Sequence, residues 1–339
     1  MEMVLFSGIQ AAGKSTFFKE RFVDTHLRIN PCSTSGAPTG PSPSARPTMH
    51  STDLEARMRQ FEMALNNPVP PGFQIVARLD GRGFTRLTKE VCQFEAPFDS
   101  GFRDLMAAAC RHLMTCGFNV LLAYSESDEI SLLLHAQEMT FGRKPRKWIS
   151  ILAGEASAAF SLALGRAAAF DARLSVLPGR EQVVDYFRWR MNDAARCCLN
   201  GHAYWLLRRQ GLSARATAQR LLGMGRADKH ELLFQYGVNF DALPTWQKRG
   251  FAVYWVERER VGRNPLTGEV TLTTRRELHT DEQLPWKDDY ERALGRLLAG
   301  HSFLVKALAR RGAGDQTSTE TARDRAADRA CTRAEGDDD

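Results

Sequence analysis

The stretch Gln74-Ile-Val-Ala-Arg-Leu-Asp-Gly-Arg-Gly-Phe84 decides how this chain is read. Its first residues alternate, with Ile75, Ala77 and Leu79 on one face and Val76, Arg78 and Asp80 on the other, which is the period of a β-strand. Such a strand delivers Asp80 at its C-terminal end, and Gly81 and Gly83 then let the backbone turn tightly or approach a ligand. Further on, two β-rich runs, 120–124 and 130–134, flank the polar segment Ser125-Glu-Ser-Asp-Glu129. This predicts a hairpin with Asp128 and Glu129 at its tip. If the two strands neighbour each other in one sheet, Asp80 and Asp128 converge on one cation. Paired carboxylates with room left for phosphate and water suit Mg²⁺. Each acidic turn alone reads equally well as a common turn former, so the weight lies on their combination.

Between these strands a helix is expected from an Asp99 N-cap, with Phe102, Leu105, Met106, Ala109 and Leu113 on one face and Gly117 as its stop. The order over 74–135 is then β-α-β-β, the first part of a ferredoxin-like split βαβ sheet, and the fold class is α+β. Arg143-Lys-Pro-Arg-Lys147 comes next, directly before an Ala-rich helix from Trp148 to about Arg166. That cluster is either a solvated charged surface or a grip on the phosphates of a Mg²⁺-bound triphosphate, and the two readings stay open. A long helix from Glu181 to Arg209 is expected to bury Val184, Phe187, Met191, Ala195, Leu199, Ala203 and Leu206. Ser213 caps a short helix ending at Gly223, and Asp228-Lys-His-Glu231 has the form of a helix start. The runs 251–256 and 269–274 read as a hairpin around Asn264-Pro-Leu-Thr-Gly268.

Upstream, Gly8-Ile-Gln-Ala-Ala-Gly-Lys-Ser15 matches the phosphate-binding loop pattern, in which backbone N–H groups cradle phosphates, Lys14 reaches the outer ones and Ser15 meets Mg²⁺. A Pro- and Ser-rich stretch begins at Pro31, however, and a single β-loop-α unit has no neighbouring strands for a parallel sheet. Residues 1–30, with Gly8, Gly13, Lys14 and Ser15, are therefore expected to be an orphan, vestigial P-loop fragment, and 31–52 a linker. A helix with Leu54, Met58, Phe61 and Leu65 at helical spacing opens the catalytic region, 53–300, and 301–339 is a charged tail, expected to be disordered, with no large apolar residue from Gly312 on.

The 339 residues are 43% hydrophobic and 25% charged, ordinary for a globular core. No apolar run approaches the ~20 residues a membrane span needs, and the N-terminus lacks a signal peptide's apolar region, so a cytoplasmic protein is expected. Seven cysteines without a C-x-x-C pair argue for reduced thiols and against structural zinc. The net charge of +6 permits a polyanionic partner.

Leu79-Asp-Gly-Arg-Gly-Phe84, Ser127-Asp-Glu129, Tyr186-Phe-Arg-Trp-Arg190 with Asp193, and Asp228-Lys-His-Glu-Leu-Leu-Phe234 stand in the order and spacing of the tRNA-histidine guanylyltransferase family, which the chain resembles over about 53–298. The resemblance implies a palm-like antiparallel sheet with long helices packed on it. It implies addition of nucleotides to the tRNA 5′ end in the 3′-to-5′ direction, with two Mg²⁺ ions and with ATP, GTP or other nucleoside triphosphates as substrates. Asp80 and Asp128, with the Gly81 carbonyl, would be metal ligands. Asp80, Asp128 and Glu129 would be the catalytic set, Glu129 supporting the metal site. Arg82, Gly83, Phe84, Ser127, Arg143, Lys144, Lys147, Lys229 and Asn239 would contact nucleotide or the 5′-triphosphate. A homo-oligomer, dimer or tetramer, is implied as well.

Two departures bear on this. Eukaryotic members carry a His-Ile-Asn-Asn-Leu-Tyr-Asn run where this chain has Ala195-Arg-Cys-Cys-Leu-Asn-Gly201, so it looks like the bacterial branch, associated with template-directed repair of 5′-truncated tRNAs. Ala96 also replaces a lysine that would contact phosphate. The competing readings are a palm-like cyclase of the diguanylate type, whose hairpin Glu126-Ser-Asp-Glu129 partly imitates, a non-catalytic tRNA-binding protein, and a P-loop ATPase. The motifs after Tyr186 argue against the cyclase, the intact carboxylates against the second, and the missing domain against the third.

Overall fold

A computed structural model describes residues 51–63, 66–263, 270–301 and 303. The expected P-loop residues Gly8, Gly13, Lys14 and Ser15, the expected linker to residue 50, the hairpin tip expected at 264–268 and the tail from 304 lie outside the described residues. The chain divides into two units, Met1–Arg59 and Gln60–Asp339. Of the first, the described part belongs to helix α1 (Ser51–Met63), whose expected apolar stripe of Leu54, Met58 and Phe61 is exposed.

The second unit is a six-stranded antiparallel sheet in the order β4-β1-β3-β2-β5-β6. Its elements in chain order are β1 (Gln74–Gly81), α2 (Ser100–Leu113), β2 (Val120–Glu126), β3 (Glu129–Leu134), α3 (Pro145–Leu164) and β4 (Phe170–Leu177). This is the β-α-β-β-α-β split unit. Then come α4 (Arg180–Arg209), α5 (Ala214–Leu221), α6 (Arg226–Gln235), α7 (Thr245–Arg249), β5 (Phe251–Arg263), β6 (Val270–Asp281) and α8 (Asp288–Leu298). Strand β4 was not anticipated, although Phe170, Ala172, Leu174 and Val176 alternate with Asp171, Arg173 and Ser175.

The alternation in β1 sorts two cores. Ile75, Ala77 and Leu79 face α2 and α3, packing with Met106, Leu113, Trp148 and Phe160. Val76 faces the other way, with Leu122, Tyr124 and Leu133 against Val183, Phe187 and Met191 of α4 and Leu294 of α8. Both faces of the central strands are thus sealed, and the carboxylates at their ends rest on a rigid base.

Helix boundaries follow their caps. The Asp99 carboxylate accepts from the Phe102 N–H at 2.9 Å, and the Ser213 hydroxyl oxygen from Ala216 N–H at 3.2 Å, as expected. Helix α2 ends at Leu113, ahead of Gly117, which takes a positive φ of 94° in the following turn. Helix α6 starts at Arg226 instead of Asp228, which reaches back to accept from Gly225 N–H at 2.9 Å. The buried stripe of α4 also departs from the expected one. Val183, Tyr186, Arg190, Ala194, Cys198 and Leu207 are buried beside Phe187, Met191, Leu199 and Ala203, whereas Val184, Ala195 and Leu206 are half-buried.

Gly250 joins α7 to β5 at φ 71° and ψ −167°, a conformation essentially confined to glycine. A Cβ there would lie 2.3 Å from the Ser125 carbonyl oxygen, on the strand leading to the acidic turn. Gly250→Ala is therefore expected to lower stability by about 2–5 kcal/mol through backbone strain and overpacking. Chemical denaturation checks it, and an unchanged midpoint would contradict the tight approach of these two segments.

Candidate active site

The β2–β3 hairpin closes through Ser127 and Asp128 alone, with Ser127 at φ 50°. The Gly81 N–H donates to the Asp128 carbonyl at 3.0 Å, which ties the end of β1 to this turn. In register, Asp80 lies opposite Glu129 on one side and Asp171 on the other, and Glu129 lies opposite Glu126. Directly opposed residues share a face of the sheet. Four carboxylates, Asp171, Asp80, Glu129 and Glu126, thus form one transverse row on the face covered by α4, with Asp128 at its edge.

Like charges opposed across strands destabilise a sheet unless cations answer them. Arg190 of α4 is buried in the row, with Nε 2.7 Å from Glu129, and Nη2 2.7 Å from Glu126 and 3.1 Å from Asp193. Arg78 adds a contact to Glu129 at 3.5 Å, and Arg173 one to Asp171 at 3.2 Å. Burial pushes Glu126 and Glu129 up against the pull of Arg190, while those two carboxylates hold the Arg190 guanidinium charged against its own burial. Among the described residues, Asp80 and Asp128 make no ion pair. Burial pushes the Asp128 carboxyl up from its ordinary value, and the Asp80 charge adds to this, against hydrogen bonds from its own backbone and the Ser127 hydroxyl. An unanswered carboxylate pair beside three answered ones is a donor set that fits a hard cation. No group of three or more His, Cys, Asp or Glu side chains converges as metal ligands among the described residues. Further ligands would be backbone, water and phosphate, the usual composition of a Mg²⁺ site.

The remaining candidates divide. Ser127 donates to Asp128 at 3.1 Å and lines, with Lys89, Asp99, Ser125, Cys197 and Trp246, a cavity of about 240 Å³ beside the turn. Ala96 lines it too, as does the cation Lys89. Arg82 and Gly83 are exposed next to Gly81. Phe84 is corrected from a nucleotide contact to a core residue: it is 2% exposed, packed on Phe102, Phe160 and Phe170. Its ring is why position 81 is glycine, since a Cβ would sit 2.4 Å from it.

Arg143 is also corrected. Its guanidinium is buried and donates four of its five N–H groups to the carbonyls of Val69, Phe73, Ala136 and Glu138, so it is not presented to phosphate. Those carbonyls precede Gln74 or follow Leu134, so Arg143 stands at the end of β1 opposite to Asp80, about 25 Å away along the strand. Lys144, the N-cap of α3, and the exposed Lys147 are there too, so within one chain the cluster does not reach the carboxylates. Lys229 donates to Asn200 at 3.0 Å and lines a cavity of about 590 Å³ with Arg196, Arg226 and His230. Asn239 is exposed and caps the turn at Phe240–Ala242. Among residues the sequence reasoning missed, Arg190 was within reach, standing in the quoted Trp-Arg run, and Arg78 lies on the Asp80 face of the alternation. Asp171 belongs to the unforeseen β4.

The split βαβ sheet with acidic residues at the ends of its central strands defines a palm-type nucleotidyltransferase. Family models described as tRNAHis guanylyltransferase and as Thg1 C terminal domain match residues 55–178 and 181–293. A probable tRNA(His) guanylyltransferase of Drosophila melanogaster is 30% identical over 255 residues, 72% of this chain and 85% of that one. The tRNA(His) guanylyltransferase of Debaryomyces hansenii is 31% identical over 206 residues, 57% and 77% of the two chains. The crystal structure of the Saccharomyces cerevisiae tRNA(His) guanylyltransferase superposes with a TM-score of 0.53 at 26% identity, covering 57% of this chain and 90% of that one. A bacterial tRNA(His) guanylyltransferase-like protein in complex with ATP does so with a TM-score of 0.54 at 25% identity, covering 68% and 93%. The chain belongs to the tRNA(His) guanylyltransferase family and is a nucleotidyltransferase. No helix among the described residues is long and apolar enough to cross a membrane.

Proposed function

We propose that this protein extends the 5′ end of tRNA in the 3′-to-5′ direction, choosing each nucleotide by pairing with the opposite acceptor strand. The observation that carries the reading is the carboxylate row, in which every acid but Asp80 has an arginine, and Asp128 stands unanswered at its edge. Asp80, Asp128 and the Gly81 carbonyl would hold two Mg²⁺ ions, which when bound neutralise charge on the attacking and leaving oxygens. Glu129 and Glu126 do not compete for this role, because Arg190 engages both.

The cavity beside Ser127 would hold the nucleobase of the incoming nucleotide, with its triphosphate toward the carboxylates. Its mixed apolar and polar lining, with Trp246, Phe98 and Asp99, suits a flat aromatic ring with a polar edge. The cationic cavity at Lys229, Arg196 and Arg226 would take polyphosphate at the tRNA 5′ end, because activating that end leaves a second phosphate chain in need of cations. In the reaction the 3′-hydroxyl of the incoming nucleotide attacks the activated 5′ phosphorus, and the activating phosphate group leaves. Residues 53–300 carry this chemistry in the proposal, with the segment around Lys14 taking no part.

The test is incubation with a tRNA lacking its 5′ nucleotide, Mg²⁺ and labelled triphosphates. A product extended at the 5′ end is expected, and changing the template base opposite the gap should switch the nucleotide added. Lys14→Ala should leave both results unchanged. Guanylate addition regardless of that base would refute template direction, and no 5′ product would refute the function.

A further inference from the structure

Helix α4 has a cavity on each of two sides. Ala194, Cys197 and Gly201 line the one beside Ser127, and Asn192, Arg196 and Asn200 line the one at Lys229. At 3.6 residues per turn Trp189 falls on the second side, about 10 Å before Arg196 along the helix axis. It is 54% exposed, close to the carboxylate row.

A single exposed aromatic is ordinary on a protein surface, but this ring is held in one orientation. Tyr186 meets it edge-on at 5.8 Å, and the Tyr186 hydroxyl is itself fixed by Ser131 at 2.9 Å. The guanidiniums of Arg190 and Arg78 lie over the ring at 4.6 and 5.8 Å. Arg78 comes from β1, on the face of Asp80 and about 7 Å from it along the strand. Its Nε is buried without a hydrogen-bond partner, and its ion pair with Glu129 is a long one, 3.5 Å. It also lies directly opposite Arg173 of β4, a like-charge pairing that costs stability. Arg78 thus forgoes hydrogen bonds and tolerates a neighbouring cation in a position that backs the Trp189 ring.

We propose that Trp189 is the stacking platform for the nucleobase whose phosphate chain occupies the Lys229 cavity. The inference rests on the functional reading above and adds a residue to it. The reaction joins two nucleotides, and the cavity beside Ser127 takes the base of the incoming one, which leaves the base on the acceptor side of the new bond without a partner. Trp189 stands on that side, and its separation from Arg196 is about the reach from a nucleobase to the outer phosphates of one nucleotide. The aromatic ring inside the Lys229 cavity, Trp286, is half-buried and has Arg249 over it at 5.3 Å. Stacking is tolerant of base identity, because every base has a π-face. A platform therefore suits an enzyme that must accept whichever nucleotide a damaged 5′ end presents. Two bases can arrive there on a phosphate chain, that of the RNA's 5′-terminal nucleotide and that of the nucleotide that activates it.

The experiment measures binding of a 5′-triphosphorylated tRNA transcript to the full chain, without turnover, with and without the base of its first nucleotide. Trp189→Ala should weaken binding about tenfold, and removing the base should cost the wild type about the same. The two losses should not add, because each removes the same contact. Trp189→Phe should keep most of the affinity for the intact transcript. A second arm reads the ATP needed for half-maximal activation of a 5′-monophosphorylated tRNA. A rise of about tenfold there in Trp189→Ala, with transcript binding unchanged, places the activating base on the ring. No change in either arm would overturn the proposal, and so would losses that add in full, since Trp189 and the base would then act apart. A protein that shows the coupling yet adds nothing to the tRNA 5′ end fails the functional reading and not this one.

Discussion

Asp80→Ala and Asp128→Ala are each expected to lower the rate of nucleotide addition by about a thousandfold or more while leaving the protein folded. The proposed Mg²⁺ ions stabilise developing charge by several kcal/mol, and each 1.36 kcal/mol is a factor of ten in rate. Neither carboxylate holds the fold together, since among the described residues neither is ion-paired and both stand among like charges. Burial and the Asp80 charge already push the Asp128 carboxyl up. Removing one acid from the row relieves repulsion, so the melting temperature should hold or rise slightly. Single-turnover kinetics and thermal melting, run on the same samples, separate the two effects. Near-normal activity in either variant would sink the metal assignment, and unfolding of both would mean that the pair is structural.

Arg190→Ala should do the reverse and unfold the protein before it tests the chemistry. Arg190 is 6% exposed and bonded to three carboxylates. Breaking a buried pair by removing one partner costs about 3–5 kcal/mol, because the orphaned charges stay behind. Here two orphans remain, Glu126 and Glu129, so the upper end is expected. The pH dependence gives a signature. Burial raises both carboxyls, and without Arg190 nothing but Arg78 opposes it. In the variant the folded state then binds more protons than the unfolded one over the window above the ordinary carboxylate range. Its stability falls as pH rises through that window and recovers as pH falls. Urea midpoints of wild type and variant should therefore converge toward acid pH. A constant gap across pH would show that the loss is one of packing.

The sheet was legible wherever one short-range pattern settled it. The alternation of 74–80 named both core faces correctly, and the Asp99 and Ser213 caps marked their helices because a cap is a contact three residues long. What escaped was set over long distances. A run such as Arg143–Lys147 looks free to bind phosphate, and nothing local shows that Arg143 is enclosed by carbonyls near residues 69 and 73. Phe84 reads as part of a glycine turn until the rings of Phe160 and Phe170 close over it. The stripe of α4 departed from its expected positions because this 30-residue helix packs on the sheet at one end and on α6 and α7 at the other. Asp80, Asp128 and Glu129 were found as acids at turns. Their division into an unanswered pair and an arginine-bound support required the register of four strands.

The carboxylate row also has a bearing on the order in which the molecule is made. Its members come from segments near residues 80, 126–129 and 171, and the arginine that neutralises its centre lies further on, at 190. A nascent chain can pair β1, β2 and β3 before α4 has been synthesised, but only by stacking acids against one another with a single arginine, Arg78, in reach. The early sheet is thus held open at one end by its own repulsion, and the arrival of α4 closes it. Strand registration and helix docking become a single cooperative step whose barrier is partly electrostatic. Refolding should then quicken in moderate salt, where the row is screened before its arginine arrives.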